Sequence, residues 1–351
     1  MKILIATDAW HPQINGVVRT LGHLAREAAV LGVELEFLTP DAFFTVPVPI
    51  YPEVRLALPP PGAVERRLDR VKPRAIHIAT EGPLGHALRR VCMKRRLPFT
   101  TSFHTRFPDY FAERLPLAGM TAKATWSWLR RFHAPGAAVL AATPTLVREL
   151  DERGFHDVKL WPRGVDAELF RPRADAQLDL PRPIFLTVGR VAIEKNLEAF
   201  LDLDLPGTKL VVGDGPARAS LAKAYPDAVF LGARQGEALA EIYAAADVFV
   251  FPSRTDTFGL VLLEALASGL PVAAYPAPAP RDVIGEAPVA KLDEDLRRAC
   301  LEALELDRDD CRDFALTLTW QASAAIFLDQ VTTAQKAPRP PRLARWLRKA
   351  A

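Results

Sequence analysis

Short runs of β-branched and apolar residues alternate along the whole chain with stretches whose apolar residues recur every three or four positions. The first pattern predicts strands buried on both faces, the second amphipathic helices. In the first half, strands are predicted near 2–7, 33–39, 75–79, 98–102 and 138–142, and helices near 16–31, 82–96, 117–133 and 145–153. The segment 160–183 holds Pro162, Pro172, Pro181 and Pro183 with little periodicity and reads as an interdomain linker. The alternation then restarts, with strands near 184–189, 208–213, 228–231, 247–252 and 271–275 and helices near 194–202, 215–224, 236–245 and 259–268. Two further helices, near 294–305 and 319–333, close the pattern. Strands joined by crossover helices predict an α/β protein with parallel sheets, here two Rossmann-like, doubly wound domains. If they face each other, both sets of strand C-termini surround one central cleft.

The length of 351 residues agrees with about two domains. No apolar run approaches the ~18 residues needed to span a bilayer. The opening MKILIAT reads as a buried strand, not a signal peptide. Cys92, Cys300 and Cys311 are too few and too widely spaced for a zinc site or a disulfide framework, which points to a reducing, cytoplasmic compartment. The net charge of +3 hides an asymmetry: residues 1–173 carry roughly +8, residues 174–335 roughly −11, and the last sixteen roughly +6. A basic first half and a basic tail favour an anionic partner on one side.

Candidate chemistry sits at the predicted strand ends. In FPSRTDTFGLVLLEALASG, residues 251–269, Asp256 lies in a loop and Glu264 in the helix after it, beside Phe258, Gly259 and Leu260. Two acids at a strand–helix junction suit a hydroxyl-rich ligand such as a diphosphate-linked sugar. If the helix ran over both acids, eight residues at ~1.5 Å would separate them by ~12 Å. That exceeds the ~5–9.5 Å between the carboxyls of a glycosidase pair. The acids therefore fit two ends of one extended ligand. Gly189 and Arg190 follow the strand IFLTV, and Lys195 stands five residues beyond Arg190; both cations suit phosphate oxygens. Gly232 ends a strand where a flat base can approach the backbone, and Gly213-Asp214-Gly215-Pro216 makes a turn of mainly structural value. Gly16 opens the first long helix, either as an anion-binding start or as the sequel to an Asn15 N-cap. His104 follows the strand PFTTS, a position from which it can meet a sugar hydroxyl. Trp126, Trp128, Arg130 and Arg131 mix aromatic and basic character, as do Arg345, Trp346 and Arg348 in the tail; Arg89, Arg90, Lys94, Arg95 and Arg96 form a further basic cluster. Such interleaving suits a bilayer interface; one such cluster alone reads as a solvated helix face or a disordered tail, but three together favour peripheral membrane contact.

Arg190, Lys195, Asp256, Phe258-Gly259 and Glu264 in this order, with DAWHPQINGVVRTL, SFHTRFPDY, RGVD at 163–166 and GRVAIEKNL, resemble the family-4 retaining glycosyltransferases of GT-B fold over roughly residues 1–330. Within that family the chain looks most like the lipid-directed bacterial α-mannosyltransferases and the glycosyl and sulfoquinovosyl diacylglycerol synthases. The resemblance implies an acceptor-binding domain at 1–165, a nucleotide-sugar-binding domain at 166–318, a helix at 319–335 packing back towards the first domain, and a basic tail at 336–351. It implies that Arg190 and Lys195 hold the donor diphosphate, Glu264 the ribose, and Asp256 the transferred sugar. Backbone at Phe258–Leu260 then lies along the sugar and phosphate, Gly16 lines the diphosphate, and His104 sits near the sugar's C6 side. The family's first acid is usually Glu, so Asp256 is a departure. No Asp-x-Asp motif stands near the end of a predicted strand, and neither metal nor other cofactor is expected. The expected partners are a GDP- or UDP-sugar, a lipid acceptor and an anionic membrane surface at the inner face of the cytoplasmic membrane, with no nucleic acid. A transferase acting on a soluble acceptor, or a non-enzymatic membrane-binding protein on the same scaffold, are the alternatives.

Overall fold

The computed structural model describes residues 1–13, 15–48, 51–104 and 118–336. The chain divides into two compact units, Met1–Pro162 with the segment from Trp320 onward, and Arg163–Thr319.

The first unit is built on a six-stranded parallel sheet in the order β2-β1-β5-β6-β7-β8. These strands are β1 (Lys2–Ala6), β2 (Glu34–Leu38), β5 (Ala75–Ile78), β6 (Thr100–Phe103), β7 (Ala138–Ala141) and β8 (Val158–Leu160). The runs ILIA, AIHI, TTSF and AVLA are buried throughout, as expected of strands covered on both faces. The covering helices are α1 (Gly16–Val30), α2 (Ala63–Val71), α3 (Pro83–Arg95), α4 (Ala118–His133) and α5 (Pro144–Glu152). A two-stranded antiparallel hairpin, β3 (Thr45–Val48) with β4 (Tyr51–Ala57), stands apart from the main sheet.

The second unit repeats the plan, with strand order β11-β10-β9-β12-β13-β14 and every pairing parallel. Its strands are β9 (Ile184–Val188), β10 (Thr208–Val212), β11 (Val229–Gly232), β12 (Val248–Phe251), β13 (Val272–Ala274) and β14 (Ala290–Leu292). Between them run α6 (Glu198–Leu201), α7 (Arg218–Ala224), α8 (Gly236–Ala245), α9 (Leu260–Ala267), α10 (Pro278–Ile284), α11 (Leu296–Ala303) and α12 (Arg308–Leu316). The strand order reverses between β9 and β12, the switch point at which doubly wound sheets open a ligand crevice.

The last helix, α13 (Trp320–Thr333), belongs to the first unit and packs on α1. Trp320 stacks on His23, with ring centroids 4.6 Å apart. The indole of Trp161 donates to Ser323 Oγ at 3.1 Å, and Ser323 Oγ donates to the Pro162 carbonyl at 2.7 Å. Phe327 and Val331 complete a core with Ile3, Ile5 and Leu21.

Several elements depart from the sequence pattern. The predicted helix at 194–202 is a single 3-10 turn at Ile193–Lys195 and the four-residue α6, because Asn196 adopts a left-handed conformation between them. A strand that was not predicted, β8, is added at the sheet edge and ends at Leu160, the first residue of the predicted linker. The hairpin β3–β4, α2, α10, α12 and β14 were not predicted: each is short, and α10 lies in the Pro-rich run YPAPAPR.

Candidate active site

The second unit brings Gly189, Arg190, Lys195 and Asp256, four of the predicted donor-site residues, to the segments that leave its switch-point strands. Gly189 and Arg190 leave the C-terminal end of β9, and the loop Pro252–Gly259 leaves the neighbouring β12. Side chains tie these two segments together. Asn196 Nδ2 donates to the Pro252 carbonyl at 3.1 Å, and the Thr255 hydroxyl donates to the Glu194 carbonyl at 3.3 Å. The turn that carries Lys195 is therefore held against the loop that carries Asp256. Lys195 Nζ donates to Asp256 Oδ1 at 2.5 Å, with about a quarter and a fifth of the two side chains exposed (28% and 18%). The other carboxylate oxygen, Asp256 Oδ2, is buried without a hydrogen-bond partner. A buried oxygen left this way is costly unless a ligand donates to it.

Glu264 does not share that contact. It lies within α9 and is buried, and the Tyr243 hydroxyl from α8 donates to its Oε2 at 3.1 Å. Because α9 starts at Leu260, Asp256 is in the loop, and the helical spacing used to separate the acids does not apply. Their different surroundings separate them instead. Gly259 is the N-cap of α9 at φ 81°, a left-handed conformation suited to glycine, and offers no side chain to the first N–H groups of the helix. Phe258 is buried beside it, and Leu260 is the first helical residue.

Three adjacent strand ends are laced by backbone bonds. Gly189 N donates to the Val212 carbonyl at 3.0 Å, Gly213 N to the Gly232 carbonyl at 2.9 Å, and Val191 N to the Asp214 carbonyl at 2.9 Å. A Cβ on Gly213 would stand 1.7 Å from the Gly189 carbonyl oxygen, so the turn read as structural has this close approach as its reason. Where a Cβ on Gly232 would stand, the Arg218 guanidinium is 3.3 Å away.

In the first unit, Gly16 begins α1 and is exposed, but the Asn15 side chain caps that helix, accepting from Val17 N and Val18 N, both at 3.0 Å. His104 follows β6, half-buried, with its ring 6.0 Å from that of Trp161. The end of β1 is closed by a residue that sequence reasoning missed. Asp8 is buried and accepts from Leu84 N at 2.9 Å, Gly85 N at 3.3 Å and the Thr80 hydroxyl at 2.9 Å, capping α3. Burial raises its pKa above the usual carboxylate range, against the opposing pull of those hydrogen bonds. Nothing in the sequence spacing joins Asp8 to residues more than seventy positions away.

The aromatic and basic clusters are only partly surface features. Trp126 was expected at a bilayer interface; instead it stacks on Phe103 at 5.8 Å with the Arg153 guanidinium 4.0 Å over its face, because the pattern of α4 turns it toward the core. Trp128 is 40% exposed, and Arg130 and Arg131 are exposed. In the α3 cluster, Arg89 is buried and donates to the Phe132 and Arg131 carbonyls, both at 2.8 Å, at the end of α4; burial lowers its pKa to about 10. Lys94 pairs with Glu65 and Arg95 with Asp69. Arg345, Trp346 and Arg348 lie outside the described residues, as do residues 105–110 of the SFHTRFPDY motif.

Among the described residues, no group of three His, Cys, Asp or Glu side chains is placed to hold a metal ion. Also among them, no helix is long and apolar enough to cross a membrane.

Residues 14–169 match the family model Glycosyltransferase Family 4, and residues 182–305 match Glycosyl transferases group 1. The chain is 35% identical over 314 residues to a GDP-mannose-dependent alpha-mannosyltransferase of Mycobacterium tuberculosis, covering 81% of each protein. It is 26% identical over 347 residues to the alpha-monoglucosyldiacylglycerol synthase of Streptococcus pneumoniae, covering 87% of this chain and 78% of that one. Its fold is similar to that of the sucrose-phosphate synthase of Thermosynechococcus elongatus, with a TM-score of 0.78 at 20% identity over 96% of this chain and all of that one (100%). With two Rossmann-like domains and both family models matched in order, this chain belongs to glycosyltransferase family 4, has the GT-B fold, and is a nucleotide-sugar-dependent, retaining hexosyltransferase.

Proposed function

We propose that the enzyme transfers a hexose, of mannose or glucose type, from a GDP- or UDP-sugar to a membrane lipid or lipid-linked acceptor at the inner face of the cytoplasmic membrane. The observation that carries the donor half of this reading is the Lys195–Asp256 pair at the β9/β12 switch point, with a buried carboxylate oxygen still unpartnered. In this reading the unit around residues 166–318 holds the nucleotide sugar and the unit at 1–165 receives the acceptor.

Lys195 and Arg190 meet the diphosphate. Their charge offsets the negative charge that grows on the leaving phosphate as the glycosidic bond breaks, a role that needs fixed donors in a water-poor site. Asp256 Oδ2 accepts from a hydroxyl of the transferred sugar, which supplies its missing partner. Glu264, oriented by the Tyr243 hydroxyl, takes the ribose hydroxyls. The base lies by Gly189 and Gly232, and backbone N–H groups at Phe258, Gly259 and Leu260 face the phosphate at the uncapped start of α9. With no side chain assigned as a nucleophile, retention follows from attack on the face the diphosphate leaves. The acceptor hydroxyl then gives its proton to the departing phosphate oxygen while its own oxygen bonds to the anomeric carbon.

The lipid acceptor and GDP-mannose rest on the names of the relatives and on Trp128, Arg130 and Arg131 exposed together on α4. Thermal shifts with GDP, UDP and their hexose conjugates test the donor; a ligand at 100 times its Kd adds ~2.7 kcal/mol of stability. Mass spectrometry of lipid vesicles incubated with enzyme and the stabilising donor tests the acceptor. The expected result is a hexose added to lipid. Stabilisation by neither nucleotide refutes the donor assignment, and transfer to soluble sugars alone refutes the lipid acceptor.

A further inference from the structure

A groove of about 420 Å³ opens in the first unit where β5 and β6 begin, between the C-terminal ends of α2 and α3. It lies at the opposite end of the strands from His104. Leu97 and Pro98 line it just before β6, whereas His104 follows the last residue of that strand, roughly 20 Å away at ~3.3 Å per residue. The groove is therefore separate from the strand C-terminal edge.

Its floor is apolar, formed by Leu68, Ile76 and Leu97. Its polar groups are mostly donors. Lys72 and Arg74 are exposed on the loop between α2 and β5, and neither makes a hydrogen bond or ion pair through its side chain with another described residue. Gln335 Nε2 is buried with no hydrogen-bond partner. The one carboxylate on the wall, Asp69, is held by the Arg95 guanidinium through two bonds and is thereby neutralised. Two cations without a hydrogen-bond or ion-pair partner among the described residues, Lys72 being within electrostatic reach of Asp69, and one orphaned amide donor thus line an apolar groove. The cations alone are explained by the helix C-termini nearby, which favour positive charge. The buried amide and the apolar floor are not explained that way.

We propose that this groove binds an anionic group, a phosphate ester or carboxylate, borne on an apolar body. Lys72, Arg74 and Gln335 donate to the anion, and the apolar part covers Leu68, Ile76 and Leu97. The chemistry is that of a soluble amphiphilic phosphate and equally of an anionic lipid headgroup at a bilayer. The site stands independently of the proposed donor and acceptor.

The full chain is titrated calorimetrically with hexyl phosphate and with inorganic phosphate, and its partition into phosphatidylglycerol and phosphatidylcholine vesicles is measured. Three variants accompany it: K72A/R74A, Q335L, and R66A/R70A, which removes the same charge from exposed positions of α2 outside the groove. If the source is soluble, hexyl phosphate binds more tightly than inorganic phosphate, K72A/R74A weakens it at least about tenfold, Q335L weakens it severalfold, and R66A/R70A leaves it unchanged. If the source is a headgroup, hexyl phosphate binds poorly. K72A/R74A and Q335L then both reduce partition into phosphatidylglycerol vesicles alone, well beyond the effect of R66A/R70A. The neutral Gln335 supplies the discriminating readout, since bulk electrostatics do not sense its loss. Equal effects of K72A/R74A and R66A/R70A with none from Q335L, or no binding in any arm, overturn the proposal.

Discussion

Replacing Lys195 by Ala, Asp256 by Ala, and both together separates the structural worth of their ion pair from its role in transfer. Two unit charges about 3 Å apart attract by roughly 5 kcal/mol at an effective dielectric of ~20. Most of that is offset by the cost of desolvating two side chains that are 28% and 18% exposed. A net coupling of about 1–2 kcal/mol remains. Lys195→Ala leaves Asp256 with no cation on Oδ1 and no donor on Oδ2, so it destabilises the second unit by about 1–3 kcal/mol. The double variant, lacking the stranded carboxylate, recovers part of that loss. Transfer follows the opposite pattern. Lys195→Ala loses a positive charge at the leaving diphosphate and lowers turnover by about 10²–10³-fold, and the double variant recovers none of it. The stability assay must report on the second unit. None of the six tryptophans lies between Arg163 and Thr319, so tryptophan fluorescence would follow the other unit. Hydrogen exchange of the β9 and β12 amides in rising urea supplies the measurement. Stability effects that add within about 0.3 kcal/mol show no coupling and refute the pair as built. Near wild-type turnover in Lys195→Ala refutes its place at the diphosphate.

Gly213→Ala forces a methyl to 1.7 Å from the Gly189 carbonyl at a φ of 147°, which pushes apart the turn bearing Arg190. A loss of about 1–3 kcal/mol in denaturant unfolding of the second unit and a weaker nucleotide affinity are expected; unchanged values for both refute the close approach. His86 is half-buried against Trp128, and burial, aided by Arg89 and Arg90, lowers its pKa below the ordinary 6.5. The unfolded chain then takes up this proton first, so the stability of the first unit falls as pH drops below about 6.5 through the lower native pKa. His86→Gln removes that component, and an unchanged pH slope of the urea midpoint counts against it. Burial raises the thiols of Cys92, Cys300 and Cys311 to about 12. A disulfide reagent at pH 8 is expected to label none of them until denaturant is added, and rapid labelling of the native protein contradicts their burial.

The doubly wound architecture was legible because strands covered on both faces are continuous apolar runs, such as KILIA and VFVF, and the helices between them are amphipathic. The elements that escaped were short or compositionally ambiguous. Helix α2 is largely charged, α10 is Pro-rich, and β14 is three partly buried residues that form a strand only by pairing with β13. The donor-site candidates were legible because glycine, cations and acids stood immediately after apolar runs, at 189–195, 232 and 256–264. Trp126 misled because a tryptophan among basic residues reads the same whether its ring faces solvent or, as here, Phe103.

By itself the sequence determined the periodicities, the approximate ends of the apolar central strands, and hence the residues eligible to meet a ligand there, since local spacing along the chain is sufficient for all three. Strand order was decided only by the folded sheet, which put β9 beside β12 and so brought Lys195 to Asp256 across sixty-one positions. The same is true of Tyr243 on Glu264 and of Asp8 on the start of α3. Those contacts arise from packing between distant segments, where no repeat or motif records which side chain will find which partner.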